Sequence, residues 1–245
     1  VTRLFLPPEK LTAEKIIITG DDARHLFLVL RVKPGDPLMI FDGSGYRYVC
    51  RILHCHKKEV IAEYIKKDFY SAESPISTTL AQGLPKSDKM DFIIQKSTEL
   101  GISRIVPLIT RYSQVRHTEK IERWRKIALS ASQQCGRDKI PEIDEPVSLE
   151  NFLTGLKGNK ADVQVKIIFF EEHKEKNLKE VLVNFRDSKD IILLTGPEGG
   201  FSGDEVSSAV ENGFIQASLG PRILRTETAP VTALSIIQYE LGDIG

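Results

Sequence analysis

Hydrophobic and polar positions follow two different rhythms along this 245-residue chain. Up to about residue 72 the apolar runs are short and broken every ten residues or so by turn residues. Strands are predicted at 3–6, 15–19, 38–41, 46–56 and 59–65, with Pro34-Gly35-Asp36 as a turn and Asp42-Gly43-Ser44-Gly45 as a hairpin turn. Between the second and third strands, Asp21 or Asp22 can cap a helix that carries His25, Leu26, Val29 and Leu30. Short strands at such spacing predict a small β-barrel. Residues 69–75 (FYSAESP) read as a linker, which divides the chain into domains 1–72 and 73–245.

Beyond the linker, strand and helix alternate. A strand at 76–81 precedes a helix that Ser87 would cap, with Met90, Ile93, Ile94 and Ser97 on one face and Gly101 as its stop. A strand at 104–109 leads to a long helix from about Thr118, which turns Ile121, Trp124, Ala128, Ala131 and Cys135 inward and ends at Gly136. Leu149, Phe152, Leu153 and Leu156 mark a short helix, followed by a strand at 163–170 and a helix at 178–185. This alternation predicts an α/β domain with a mainly parallel sheet covered on both faces.

The chemistry concentrates in residues 190–230. A buried-type strand at 191–194 stops at Gly196-Pro197-Glu198-Gly199-Gly200. Ser202 and Glu205 have capping-box spacing, so a helix starts there and ends near Gly213. A strand at 214–219 closes on Gly220-Pro221, and a polar loop, Arg222 to Thr228, precedes Pro230 in the first turn of a last helix. Two glycine turns thus follow strands at one edge of one sheet, where open α/β sheets bind ligands. Glu198 could accept from a ligand or hold the neighbouring loop. Arg225 could stabilise developing negative charge or pair with Glu227, and both readings stay open.

Composition excludes several classes. Lys plus Arg equals Asp plus Glu at 34 each, so bulk charge points to no polyanionic partner. Local charge does: residues 104–139 hold nine basic residues against three acidic ones, a concentration of the kind that grips phosphate backbones. Arg3, Arg24 and Arg31 on the first domain and Arg111, Arg116 and Arg137 on the second are the candidates for phosphate contacts. Three cysteines form no disulfide framework and fit a reducing cytoplasm. No apolar run nears the ~18 residues of a membrane span, and the N-terminus carries no leader pattern. Cys50, His54, Cys55 and His56 form a poor metal set, because on a strand Cys55 would face away from the other three; no metal is expected. Neither a G-x-G-x-x-G after a strand nor a G-x-x-x-x-G-K-[ST] occurs, and there is no G-x-S-x-G elbow.

The motifs GPEGGFS and LGPRILRTETA resemble the two C-terminal motifs of the SPOUT superfamily of S-adenosylmethionine-dependent RNA methyltransferases. More narrowly, the chain resembles the family that methylates N3 of a uridine in 16S ribosomal RNA. LRVKPGD at 30–36, QKSTELGISRIVPL at 95–108 and QQCGRDKIPEI at 133–143 extend the likeness along the whole chain. The loop Glu171-Glu172-His173-Lys174 carries no matching motif.

The resemblance implies a C-terminal domain tied in a trefoil knot, preceded by a PUA-like β-barrel that helps hold RNA. It implies a homodimer, S-adenosylmethionine as the cofactor, and 16S ribosomal RNA or the small ribosomal subunit as partner. It carries cofactor-binding roles onto Leu194, Gly196, Glu198 and Gly199 in the first loop, and onto Leu219, Gly220, Ile223, Leu224, Arg225, Thr226 and Ala229 in the second. Arg225 is the candidate catalytic cation, with Arg222 second. Two other functions fit the same residues: a SPOUT methyltransferase acting on another RNA base, or a non-catalytic RNA-binding ribosome-assembly factor.

Overall fold

The short runs of the N-terminal region form strands because each alternates in burial with period two; in 15–19, Ile16 and Ile18 point inward while Lys15, Ile17 and Thr19 point out. The structure, a computed structural model, describes residues 1–11, 14–69, 72–156, 164–170 and 176–245. It resolves into two compact units, Val1–Glu73 with Ser132–Ile140, and Ser74–Ala131 with Pro141–Gly245. Relative to the division expected at 72/73, one segment changes sides: residues 132–140 belong to the first unit. Of the expected linker, Tyr70 and Ser71 lie outside the described residues, and so does Val163, the first residue of the strand expected at 163–170.

The first unit holds β1 (Thr2–Phe5), β2 (Lys15–Thr19), β3 (Pro37–Phe41), β4 (Tyr46–His56) and β5 (Glu59–Phe69). They form one sheet in the order β1-β3-β4-β5-β2, with β1 parallel to β3 and the other pairs antiparallel. Leu4, Ile16, Ile18, Leu38, Ile40, Ile52 and Val60 from all five strands share a single core. The β-rich unit expected from the sequence is present as a curled mixed sheet, with β1 and β2 at its two edges.

Two local expectations are corrected here. α1 (Gly20–Arg24) starts at Gly20 with Thr19 as its uncapped N-cap, ahead of both Asp21 and Asp22. It runs into a single π turn, His25–Val29, closed by the Leu30 N–H donating to the His25 carbonyl at 3.1 Å. The wider turn rotates the face, so Leu26 is buried while His25, Val29 and Leu30 are exposed. In β4, register shifts between Val49 and Cys50 and between Ile52 and His54 break the two-residue period. Cys50 and Cys55 therefore face the core and His54 and His56 face out, unlike the expected grouping. Burial pushes the Cys50 thiol up to about 11, which suits a packing residue.

Residues 132–140 join the first unit through charge. The Asp138 side chain is fully buried and accepts from Arg3 Nη2 at 3.1 Å and from Arg47 Nε at 2.8 Å. Arg3 also donates to the carbonyls of Gly136 and Arg137. Arg137, 4% exposed, donates to Glu73 at 2.6 Å. Arg3 and Arg137 are therefore structural ions, and their expected role in gripping phosphate is corrected: buried partners already use their guanidinium groups.

The second unit is a parallel sheet. Its strands are β6 (Ser77–Gly83), β7 (Arg104–Ile109), β8 (Glu142–Ile143), β9 (Val147–Ser148), β10 (Gln164–Phe169), β11 (Asp190–Thr195) and β12 (Ile215–Ala217). The order is β12-β10-β11-β6-β7-β8, with β9 also beside β7, and every pair is parallel. β11 is buried from Ile191 to Thr195, as a central strand covered on both faces must be. Around the sheet are α2 (Lys89–Glu99), α3 (Ile121–Cys135), α4 (Leu149–Gly155), α5 (Leu178–Leu182), α6 (Gly203–Glu211) and α7 (Thr228–Leu241), with α7 packed on α2, α5 and β11. Met90, Ile93, Ile94 and Ser97 form the buried face of α2, as their spacing predicts. Its N-cap is Asp88, however, since Ser87 takes a left-handed φ of 58° in the turn before it. No helix among the described residues is long and apolar enough to cross a membrane.

Because all strands run one way, the ends of β11 and β12 and the two glycine loops after them lie at the same edge.

Removing Asp138 would strand two half-enclosed arginines against a dry pocket. Asp138→Ala should cost the first unit about 3–5 kcal/mol, the range for breaking one partner out of a buried ion pair. Urea unfolding followed by a probe in that unit checks this, and a loss below ~1 kcal/mol would mark the pair as incidental.

Candidate functional site

The first glycine loop is shaped by what cannot fit. A Cβ on Gly196 would lie 2.9 Å from Gly200 Cα, so the chain can fold back on itself only without a side chain there. Gly200 then takes φ +65°, and Ser202 starts α6. The expected capping box is present: the Ser202 hydroxyl accepts from the Glu205 N–H, and Glu205 Oε2 accepts from the Ser202 N–H at 2.8 Å. Glu205 Oε1 also accepts from the Arg111 N–H at 2.8 Å, which ties the loop after β7 to the start of α6.

Between this loop and the second one lies a cavity of about 520 Å³, within the roughly 300–1,000 Å³ common for small-molecule sites. Its floor is the ends of β10, β11 and β12, contributing Phe169, Phe170, Thr195 and Ala217. A buried polar network fixes the two walls. Gln82 is 0% exposed; its amide donates to the Gly196 carbonyl at 3.0 Å and lies 3.4 Å from Thr226 Oγ1. Its oxygen accepts from Thr195 Oγ1 at 2.6 Å, and the Thr226 hydroxyl donates to the Gly196 carbonyl at 2.8 Å. Two strand ends, those of β6 and β11, and both loops are locked by four polar groups.

A second clasp sits nearer solvent. Lys89 Nζ donates to Glu198 at 2.8 Å and stands 3.5 Å from Glu227 Oε2, joining the first loop to the second. Burial alone would raise the Glu198 carboxyl, but the Lys89 ammonium and backbone N–H groups, that of Lys86 among them, hold it below its ordinary 4.5. The hydrogen bond to Glu198 raises Lys89 above its ordinary 10.5. Glu227 is thus drawn to Lys89 rather than to an arginine. Arg225, exposed on the cavity rim, makes no ion pair among the described residues.

Of the residues singled out from the sequence, Gly196, Glu198, Leu219, Gly220, Ile223, Leu224, Arg225, Thr226 and Ala229 line the cavity. Leu194 does not: it is enclosed in the core beneath, and Thr195 stands at the wall in its place. Gly199 also faces elsewhere, toward Tyr112 and a neighbouring cavity. The loop Glu171-Glu172-His173-Lys174 lies outside the described residues. Gln82, Lys89 and Phe169 were missed. The sheet-edge rule could have found Phe169, at the end of the strand beside β11, but a single glutamine in β6, which reads STTLAQG, gives no such signal.

The basic segment is mostly spoken for. Arg104 pairs with Asp144, Lys120 with Asp88, Arg123 with Asp91, and Arg125 with Glu122 and Glu145. The concentrated positive face expected over 104–139 is thereby largely neutralised by acids from other elements. Arg24, Arg31 and Arg116 are exposed and have no ion pair among the described residues, while Arg111 has only Asp204 at 3.5 Å on an open surface.

A cavity between two glycine loops at the carboxyl edge of a parallel sheet defines a binding protein for a nucleoside-sized ligand. A family model described as RNA methyltransferase domain matches residues 72–238, and one described as RNA methyltransferase PUA domain matches 18–64. The chain belongs to this RNA methyltransferase family. It is 35% identical to ribosomal RNA small subunit methyltransferase E of Buchnera aphidicola over 99% of this chain and 95% of the relative. To the protein of that name from Bacillus subtilis it is 32% identical, over 91% and 89%. The crystal structure of ribosomal RNA small subunit methyltransferase E from Neisseria gonorrhoeae, bound to S-adenosyl methionine, superimposes with a TM-score of 0.89 at 33% identity, covering 100% and 99%.

Two outcomes follow from this geometry. Gly196→Val should destabilise the second unit by about 1–3 kcal/mol through overpacking, whereas Gly203→Ala, with no atom within 4 Å of the added carbon, should be neutral or slightly stabilising in urea unfolding. The Glu198–Lys89 pairing should contribute fully above the ordinary glutamate value of 4.5 and be lost as pH falls through the lowered one. From the lysine side it should be lost only as pH rises past 10.5. Lys89→Met should therefore flatten the acid limb of the stability–pH profile; an unchanged limb would rule the clasp out as its source.

Proposed function

We propose that this protein transfers a methyl group from S-adenosylmethionine to N3 of a uridine in 16S ribosomal RNA of the small ribosomal subunit. The observation that carries this reading is the cavity between the two glycine loops, in a chain aligned over nearly its full length with ribosomal RNA small subunit methyltransferases. The cofactor fits the residues present. The volume suits a nucleoside-sized group, the floor is apolar and aromatic, and the glycine loops bring backbone donors and acceptors to its walls. Gly196, Leu219, Gly220, Ile223, Leu224, Thr226 and Ala229 would hold it, with Glu198 at the rim.

When bound, S-adenosylmethionine supplies a methyl group that its sulfonium already makes electrophilic. What the chain must supply is position and charge. The Gln82 network sets the two loops at one spacing, so the reacting partners meet without reorganising the walls. The imide nitrogen of uridine is a weak nucleophile until its proton passes to solvent water at the open rim, and the negative charge then spreads to the ring oxygens. A guanidinium at the rim favours that charged form. Arg225 has no competing carboxylate among the described residues, which supports it as that group, with Arg222 beside it.

The same reading takes the protein to work in the cytoplasm as a homodimer, with its C-terminal part knotted. RNA would be held by the PUA-like unit and by exposed cations: Arg24, Arg31 and Arg116, which have no ion pair among the described residues, and Arg111, whose partner is the exposed Asp204.

Arg225→Ala should lower the rate of transfer by roughly 10²–10³-fold while calorimetry shows little change in S-adenosylmethionine affinity; wild-type turnover would remove Arg225 from the chemistry. Mapping modified nucleotides in ribosomal RNA from a deletion strain, with and without the restored protein, tests the substrate. A uridine that loses its N3-methyl supports the proposal, and a missing mark on another base or on transfer RNA overturns it.

A further inference from the structure

A second cavity, of about 510 Å³, adjoins the first and shares Glu198 with it. Its other walls are Gly199 and the loop Arg111-Tyr112-Ser113-Gln114 that follows β7. This loop is held rigidly from both ends. Ser113 is buried and closes on Thr110, its N–H donating to the Thr110 carbonyl at 3.2 Å and its Oγ accepting from the Thr110 N–H at 3.1 Å. On the other side, the Arg111 N–H is fixed by Glu205.

Tyr112 rests on Gly199 so closely that a Cβ there would lie 2.9 Å from Tyr112 Cβ. The residue nevertheless keeps 46% of its surface exposed, and its hydroxyl makes no hydrogen bond among the described residues. A half-exposed aromatic ring is a surface on which a planar group can stack. Beside it, Gln114 is exposed and offers both an amide donor and a carbonyl acceptor, while Arg111 presents a guanidinium opposed only by an exposed aspartate.

The geometry points to this cavity as the seat of the target nucleotide: the extruded uracil stacks on Tyr112, Gln114 meets its polar edge, and Arg111 takes the adjoining phosphate. This rests on the methyl-transfer reading and deepens it. A base inside RNA structure cannot present its imide edge, so it must be splayed out and held, and stacking on an aromatic is the common way of holding one. A seat sharing a wall with the cofactor cavity is where such a base would need to lie. Gly199 then serves Tyr112 rather than the cofactor.

The test uses the full chain and small subunits from a deletion strain. Tyr112→Ala should lower kcat/KM for the RNA by roughly ten- to a hundredfold, with S-adenosylmethionine affinity unchanged by calorimetry, and Tyr112→Phe should stay near wild type. Small subunits carrying 5-iodouridine at the target should photo-cross-link to Tyr112. Wild-type kcat/KM in Tyr112→Ala, or a matching loss of cofactor affinity, would overturn the seat, as would cross-links only elsewhere from an active enzyme. A Tyr112 cross-link without methyl transfer by the wild-type protein would instead sink the methyl-transfer reading and leave the seat standing.

Discussion

Gln82 ends a strand with a side chain wholly removed from water, and such an amide must find partners for both ends or destabilise the fold. It finds them in Thr195, the Gly196 carbonyl and Thr226, at distances of 2.6, 3.0 and 3.4 Å. Each partner belongs to a different piece of the cavity: the end of β11, the first residue of the first loop, and the second loop. Because leaving any one of these groups unpaired in a dry interior costs about 1–3 kcal/mol, the loops have one arrangement that satisfies all of them. The cavity lies between the two loops that this arrangement holds.

Lys89 holds the same two loops with a weaker grip. Its side chain and that of Glu198 are each about a third exposed, and pairs of that kind contribute about 0–1 kcal/mol. Its larger effect is on partner choice. By drawing both Glu198 and Glu227 toward one ammonium, it leaves Arg225 without a carboxylate among the described residues. The two readings open at the level of sequence, a free cation or a partner of Glu227, are separated by a lysine more than a hundred residues away in the chain.

What was legible in the sequence was whatever is decided locally. The capping box at Ser202 and Glu205, the buried face of α2, and the alternation that yields a parallel sheet all depend on neighbours within a few residues, and all are present. The two glycine loops were legible as a site because a sheet edge is a local topological fact. The illegible parts depend on distant partners or on a single inserted residue. The shifts in β4 reverse the facing of Cys55 relative to Cys50, and nothing in the strand's composition announces them. Residues 132–135 are the last turn of α3, yet the segment 132–140 belongs to the first unit, where Asp138 pairs with Arg3 and Arg47.

The same distinction sorts the cations. Sequence ranks arginines by crowding, and the segment 104–139 is the most crowded. In the fold most of that crowd faces acids: Asp144, Asp88, Asp91 and Glu145 come from outside the segment to meet it. With formal charge balanced over the whole chain, a phosphate backbone gains little from the average field and must be met by individual cations left unpaired. Arg24 and Arg31 in the first unit, and Arg116, Arg222 and Arg225 in the second, are exposed and have no ion pair among the described residues. A charged side chain is therefore better judged by whether a fixed carboxylate already answers it than by how many like charges surround it. On that criterion Arg3 and Arg137 are parts of the scaffold, while Arg225 at the cavity rim is exposed and answered by no carboxylate among the described residues.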